Sequence, residues 1–400
     1  MMRVGVLGHG FITWGGGVDF LRIVASSLLH APEPVEVHLL LPTRGPRLLA
    51  RNALRRLYRG GRTLLGQSLP PINYVDRLHI VELTQTMGAG IFVHEIDYGY
   101  SSIAGAARKL GLEALVPAIT PLPNGFPVPW VGYLYDFQHR YYPEYFHLDE
   151  CRRRDTDFTL MLTVARSVIV NARAVADDVA DFHPTARARV FALPFSAAPL
   201  PSYLDEWESP AARYGIVRPY FIVCNQFWKH KDHVTLFAAF ARIAQVCPEV
   251  DLVCTGATDD YRDPDYFPGL VRGLNEARIR ERVHILGMVP KSDQIALLKG
   301  AAALVQPTLF EGGPGGGAVF DAVSLGVPCL VSDIAVNMEL DEPEVSFFRA
   351  RDPDALAQAL VAVTRACPVP RDDAQTLVCR GHERRRRCGA VLLQAIREAQ

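Results

Sequence analysis

Two carboxylates and a cluster of glycines mark the stretch of this sequence best equipped for chemistry. Glu311 opens "EGGPGGG", and Asp321 follows with nine residues between. Glycine costs more backbone entropy to order than any other residue, so this density needs a reason. Successive backbone N–H groups leading into a helix can cradle a phosphate, which nominates Gly313, Gly315, Gly316 and Gly317. Asp321 shares a helix face with Ala318 and Leu325. A carboxylate on an apolar stripe needs a partner, and the hydroxyls of a ribose would be one. Glu311, at the end of an apolar run, would hold a sugar. Upstream, Lys229, His230 and Lys231 follow the run "FIVCN". A lysine there is either a point charge for a phosphate or a solvated loop residue. Gly16 and Gly17 sit in "GGGVDFLRIVASSLL", where a glycine run opens a helix-period segment. That is a second place for a phosphate to meet free N–H groups, or an ordinary tight turn. Finally, "YLYDFQHRYYPEYF" surrounds Asp136 and His139 with aromatic rings. Aromatics beside a carboxylate suit carbohydrate, whereas a lone histidine is more often a surface or core residue.

The elements that must position these residues are strands alternating with helices. Runs at 3–8, 35–41, 90–95, 129–135 and 167–171 read as strands, as do 221–225, 250–256, 282–287, 302–307 and 328–333. Most are apolar on both faces, as parallel strands covered by helices must be. The fold class expected is α/β, with two doubly wound Rossmann-like domains facing each other across a cleft. Residues 196–212 are rich in Pro and Ser and lack a period, which places the boundary there. The expected layout is a first domain over 1–200, a second over 201–375 and a closing helix over 376–400. The glycine cluster lies between a strand and a helix inside the second domain, the wrong place for a linker and the right one for a ligand loop.

With 400 residues, two cores are the natural expectation. A formal net charge of -1 offers no global attraction for nucleic acid. Eight cysteines without a CxxC pair read as free thiols in a reducing, cytoplasmic setting. The N-terminal residues lack a signal-peptide layout, and no uncharged apolar run is long enough to span a membrane. Residues 44–62 carry seven arginines and no acid. They read either as a solvated surface helix or as an amphipathic one lying on the inner face of an anionic membrane. "VGVLGHG" has a threonine where a dinucleotide fingerprint wants its third glycine, which argues against a dehydrogenase.

Taken in order, "WGGGVDFLR", "SVIVNARAVADDVADF", "KHKDH", "VHILGMVPKSDQIALLKGAAALVQPTLFEG" and "EGGPGGGAVFDAVSLGVPCLVSD" resemble the retaining glycosyltransferases of family 4, which have the GT-B fold. The resemblance covers most of the chain and is most specific from Glu311 to Asp333. It implies that Glu311 contacts the donor sugar, Asp321 the ribose and Lys231 the diphosphate. It also implies that Gly16 and Gly17 form the N-domain phosphate loop, and that backbone around Met288 and Val289 lines the base. There are departures. The two acids are spaced two residues wider than is usual in the family, and the second is Asp. Gln226 stands where an arginine is common, so Gln226 or Lys229 takes its part. Tyr135-Asp136 stands where the family has its N-domain histidine, with His139 three residues on.

The activity implied is transfer of a sugar from a nucleotide-diphosphate sugar to a carbohydrate or lipid-linked acceptor hydroxyl, in bacterial polysaccharide or glycolipid synthesis. The residues expected to carry catalysis are His139, Glu311 and Asp136. No acidic pair stands at a convincing strand end, so neither metal nor cofactor is expected and the chain itself must neutralise the leaving diphosphate. Two rivals remain: a nucleotide-sugar epimerase of the same fold, which needs no acceptor, and a non-catalytic nucleotide-sugar-binding protein.

Overall fold

In a computed structural model the chain folds into two compact units, residues 1–196 with 382–400 and residues 197–381. The structure describes all residues except 14, 43–48, 51, 55, 59–60, 62–80, 82, 85–86, 88, 206–207, 261 and 367–370. Much of the arginine-rich segment 44–62, Arg51 and Arg55 included, therefore lies outside the described residues.

The first unit holds a parallel sheet of seven strands: β1 (Met2–Leu7), β2 (Val35–Pro42), β3 (Ile91–Ile96), β4 (Ala114–Ala118), β5 (Trp130–Tyr133), β6 (Ser167–Val170) and β7 (Arg189–Ala192). Their order is β3-β2-β1-β4-β5-β6-β7. The second unit holds β8 (Tyr220–Cys224), β9 (Asp251–Thr255), β10 (Val283–Gly287), β11 (Ala303–Gln306), β12 (Cys329–Ser332) and β13 (Val345–Phe348). Here the order is β10-β9-β8-β11-β12-β13. Every pairing in both sheets is parallel. Two doubly wound Rossmann-like sheets are thus present. Each reverses its winding at one point, between β1 and β4 in the first and between β8 and β11 in the second. Ligands of such sheets sit outside the strand C-termini at that point.

Three strands escape the sequence pattern for physical reasons. β4 contains Pro117, which has no N–H to give a ladder. The structure accommodates it where the pairing of β4 with β5 shifts register, between Leu115 and Ala118. β7 and β13 are short edge strands whose residues are largely half-buried or exposed, so neither presents an apolar run.

The closing helix runs from Ala374 to Ala399. Its Cys388, Leu392, Leu393 and Ile396 enter the core of the first unit beside Val4, Val6 and Leu39. Gly389 is the point of closest approach. A Cβ there would lie 2.1 Å from the carbonyl oxygen of Ser27, so only glycine lets this helix settle against Gly15–Leu29. Among the described residues no helix is long and apolar enough to cross a membrane.

Candidate functional site

The winding of the second sheet reverses where β8 and β11 lie side by side, and a chain of polar side chains spans that point. Asn225 follows β8 directly, and its Nδ2 donates to Oε1 of Gln306, the last residue of β11, at 2.9 Å. Nε2 of Gln306 in turn donates to Oε1 of Glu311 at 2.9 Å. Nζ of Lys231 donates to the same carboxylate oxygen at 2.5 Å. The Lys231 and Glu311 side chains are 14% and 10% exposed, so this pair is largely withdrawn from water. The loops after β8 and β11 are also tied through their backbones, the N–H of Leu309 donating to the carbonyl of His230 at 2.7 Å.

Lys231 is delivered by a 3₁₀ turn, Lys229–Lys231, which Asp232 ends in a left-handed conformation (φ 49°). Oδ1 of Asp232 accepts from the N–H of Thr235 at 3.2 Å and so starts the helix His233–Ile243.

The glycine loop meets Glu311 from the other side. Its helix begins at Gly316 and runs to Ser324, with Gly315 as its cap. Gly315 (φ 69°) and Gly316 (φ 65°) are both left-handed, which is why residues without a Cβ stand here. A Cβ on Gly316 would sit 3.0 Å from Oε2 of Glu311. The N–H of Gly315 donates at 2.8 Å to Oδ1 of Asn337, a fully buried residue whose Nδ2 donates to the carbonyl of Ser332 at 2.9 Å. The N–H of Gly316 donates to the carbonyl of Gly313 at 3.4 Å, so the loop is a fixed object that sets the start of a helix beside a carboxylate and an ammonium.

Asp321 has a partner within the chain. It is half-buried, and Oδ2 accepts from Nζ of Lys291 at 2.5 Å, so a lysine partners the acid on the apolar stripe. Val289 is half-buried beyond the end of β10, and its neighbour Met288 is exposed. Lys229 does not join Glu311; its Nζ lies 2.6 Å from Oδ2 of Asp263 in the segment after β9. Gln226 is exposed. A cation not expected from the sequence, Arg262, lies 4.8 Å above the Trp228 ring, and its guanidinium donates two hydrogen bonds to Asp260, at 2.8 and 3.0 Å.

In the first unit, Gly16 is exposed and Gly17 buried at the start of the helix Gly15–Leu29, as a helix-opening glycine run requires. Asp136, just past β5, accepts the N–H of Gln138 at 2.9 Å. His139 lies in the interior of the first unit. Only 1% of it is exposed, and Nε2 lies 2.9 Å from Oδ1 of Asp155. Its ring packs among Phe137, Phe146 and Phe158. Burial holds its pKa below the ordinary histidine value, against the pull of Asp155. Phe137 and Phe146 of this stretch, with Phe158, pack around His139, whose Nδ1 is buried without a hydrogen-bond partner among the described residues. Among the described residues, no group of three or more His, Cys, Asp or Glu is arranged to hold a metal ion.

The fold, and part of the sequence, have known counterparts. Residues 218–365 match the family model described as glycosyl transferases group 1. The match includes Lys231, Glu311, Gly315 and Asp321. A curated relative, "Glycosyltransferase 1 domain-containing protein 1" of Xenopus tropicalis, is 26% identical over 190 residues, 46% of this chain. The chain spans about half, 52%, of the length of that relative. Among solved structures, sucrose-phosphate synthase from Thermosynechococcus elongatus aligns with a TM-score of 0.59 at 15% identity, over 98% of this chain and 97% of its own. Anabaena HepE in complex with UDP-glucose aligns with a TM-score of 0.59 at 15% identity, over 100% and 99%. The chain has the GT-B fold, and the group 1 match supports a glycosyltransferase built on it.

Within the group 1 segment two buried histidines flank Lys231. His230 is 5% exposed, and burial holds its pKa well below the usual value. His233 is fully buried, its ring 4.1 Å from that of Phe227, and burial lowers its pKa to about 3. The unfolded chain takes a proton on this residue near the ordinary value of 6.5. The folded chain refuses it down to about 3, so stability is complete above about 6.5 and is lost as pH falls. The slope is about 1.4 kcal/mol per pH unit for one such group. Urea midpoints are therefore expected to drop between neutral pH and pH 5, and His233→Leu should drop less steeply. Parallel declines would contradict the buried, neutral ring.

Proposed function

We propose that this chain transfers a sugar from a nucleoside-diphosphate sugar to an acceptor hydroxyl, with retention at the anomeric carbon and without a metal. The observation that carries this reading is the Lys231–Glu311–Gln306–Asn225 chain set against the left-handed glycines that open a helix. The hard step is departure of a nucleoside diphosphate, which leaves negative charge on the phosphate oxygens. Preorganised N–H groups, the positive end of a helix and a lysine stabilise such charge without reorganising. In this reading the N–H of Gly317 at the helix start and the Lys231 ammonium face the diphosphate. Glu311 offers Oε2 to the sugar hydroxyls while Oε1 stays on Lys231 and Gln306. The Asp321–Lys291 pair stands one helix turn further on and contacts the ribose, and backbone near Val289 lines the base. That the Anabaena structure of the same fold holds UDP-glucose is consistent with this assignment.

A thermal-shift panel of UDP-, GDP- and ADP-sugars tests it. A true donor at a hundredfold excess over its Kd stabilises the protein by about 2.7 kcal/mol. One base should stand out, the shift should persist in EDTA, and donor plus acceptor should release the nucleoside diphosphate. No shift with any nucleotide sugar would remove the reading.

A further inference from the structure

The first unit carries a pocket to which the donor chemistry gives no role. It lies at the reversal point of that sheet, where β1 and β4 end, and the segment after β3 closes it. Its volume is about 140 Å³, and its lining includes Leu7, His9, Tyr98, Tyr100, Ile103 and Thr120. A cavity of about 150 Å³ accepts one six-membered ring, as an engineered protein cavity does with benzene. Two linked rings do not fit that space. Leu7, Ile103, Ala118 and Leu122 are buried members of the core beneath, so the floor is fixed. Above it, the Tyr98 ring stands 5.4 Å from His9 at a tilt of 42°. Gly99 adopts φ 122° where the chain turns into the helix Tyr100–Leu110, a conformation open to glycine.

The lining combines aliphatic and aromatic carbon with polar groups: the hydroxyls of Tyr98, Tyr100 and Thr120 and the imidazole of His9. Such a wall suits a ring with one C–H face and several hydroxyls. Among the described residues, no Asp, Glu, Lys or Arg lines the pocket. A carboxylate carried into the pocket would lose water and meet no Lys or Arg among the described lining residues, which is costly.

We infer that this pocket receives one neutral monosaccharide ring, the terminal residue of the acceptor, and discriminates against a ring that bears a carboxylate. The acceptor role rests on the proposed sugar transfer; the ring site stands on the pocket alone. Saturation-transfer NMR on the full chain tests it, with the methyl glycosides of glucose, galactose and mannose against methyl glucuronide. At least one neutral glycoside should receive saturation, and methyl glucuronide should not. Ile103→Trp fills the pocket and should weaken the neutral glycoside about tenfold or more. Thr120→Val removes one hydroxyl with little change of shape and should weaken it less. It also carries the test if the tryptophan variant fails to fold. The thermal shift given by UDP or GDP should be unchanged in both variants. Equal saturation in wild type and variants, equal saturation by the glucuronide, or none from any neutral glycoside overturns the inference. Failure of every nucleotide to bind would instead sink the transfer reading and leave the ring result to stand or fall by itself.

Discussion

Glu311→Gln is expected to lower the rate of sugar transfer by about 10²–10³-fold, the usual loss when one preorganised group facing transition-state charge is removed. The carboxylate has two tasks that an amide cannot share. Oε1 accepts from both Lys231 and Gln306, and Oε2 lies open toward Gly316. Lys231→Met should cost a similar factor, because it removes the ammonium proposed to meet the diphosphate and leaves Glu311 with only an amide donor. A charge stranded in a mostly buried site also destabilises, by up to about 3–5 kcal/mol where burial is complete and by less here. The double variant discriminates. If the pair acts as one device, the combined loss will be close to the larger single loss, and the double variant will regain stability over Lys231→Met. Losses that multiply, or a fully active Lys231→Met, would show that the pair is not part of the reaction.

Gly315→Ala should disable the same site from the backbone side. The residue is left-handed, which costs a non-glycine residue about 1–2 kcal/mol. Its new Cβ would also lie 2.4 Å from Cβ of Val319, and such overpacking costs about 1–3 kcal/mol more. The expected sum, about 2–5 kcal/mol, should lower Tm by several degrees and weaken nucleotide binding at least tenfold as the helix start shifts. Gly317→Ala is the control for stability. No atom lies within 4 Å of its would-be Cβ, and alanine is the better helix former. Equal melting temperatures for the two variants would mean that the loop has no fixed shape to lose.

The sequence and the structure part company in instructive places. Central strands were legible because burial on both faces makes them continuous apolar runs. β4, β7 and β13 were not, since a proline interrupts the first and the other two lie at sheet edges. In the site, Glu311, Lys231 and the left-handed glycines stood out because charge and missing side chains are rare beside apolar strands. Asn225, Gln306 and Asn337 did not, although they position everything else. An amide at the end of a buried strand was a usable signal for the first two: "IVCN" and "LVQ" each end an apolar run on a side chain that must find a partner. His139 is hard to read for the opposite reason. Aromatic crowding looks the same in a sequence whether the rings stack on a ligand or on each other. Asp321 shows the same limit for charge, because a helix face is visible in a sequence whereas the lysine thirty residues upstream that meets it is not.

The closing helix has a consequence for how the protein is made. Cys388, Leu392, Leu393 and Ile396 are core residues of the unit that contains Met1, yet residues 197–381 come between them and the rest of that unit. In topological terms the second unit is an insertion. During synthesis it emerges whole and can fold, whereas the earlier unit must wait with an open groove along Gly15–Leu29 until the final helix arrives. A chain stopped near residue 381 would carry the complete group 1 segment and an unfinished first unit, with apolar surface exposed to the chaperones and proteases that sort such intermediates.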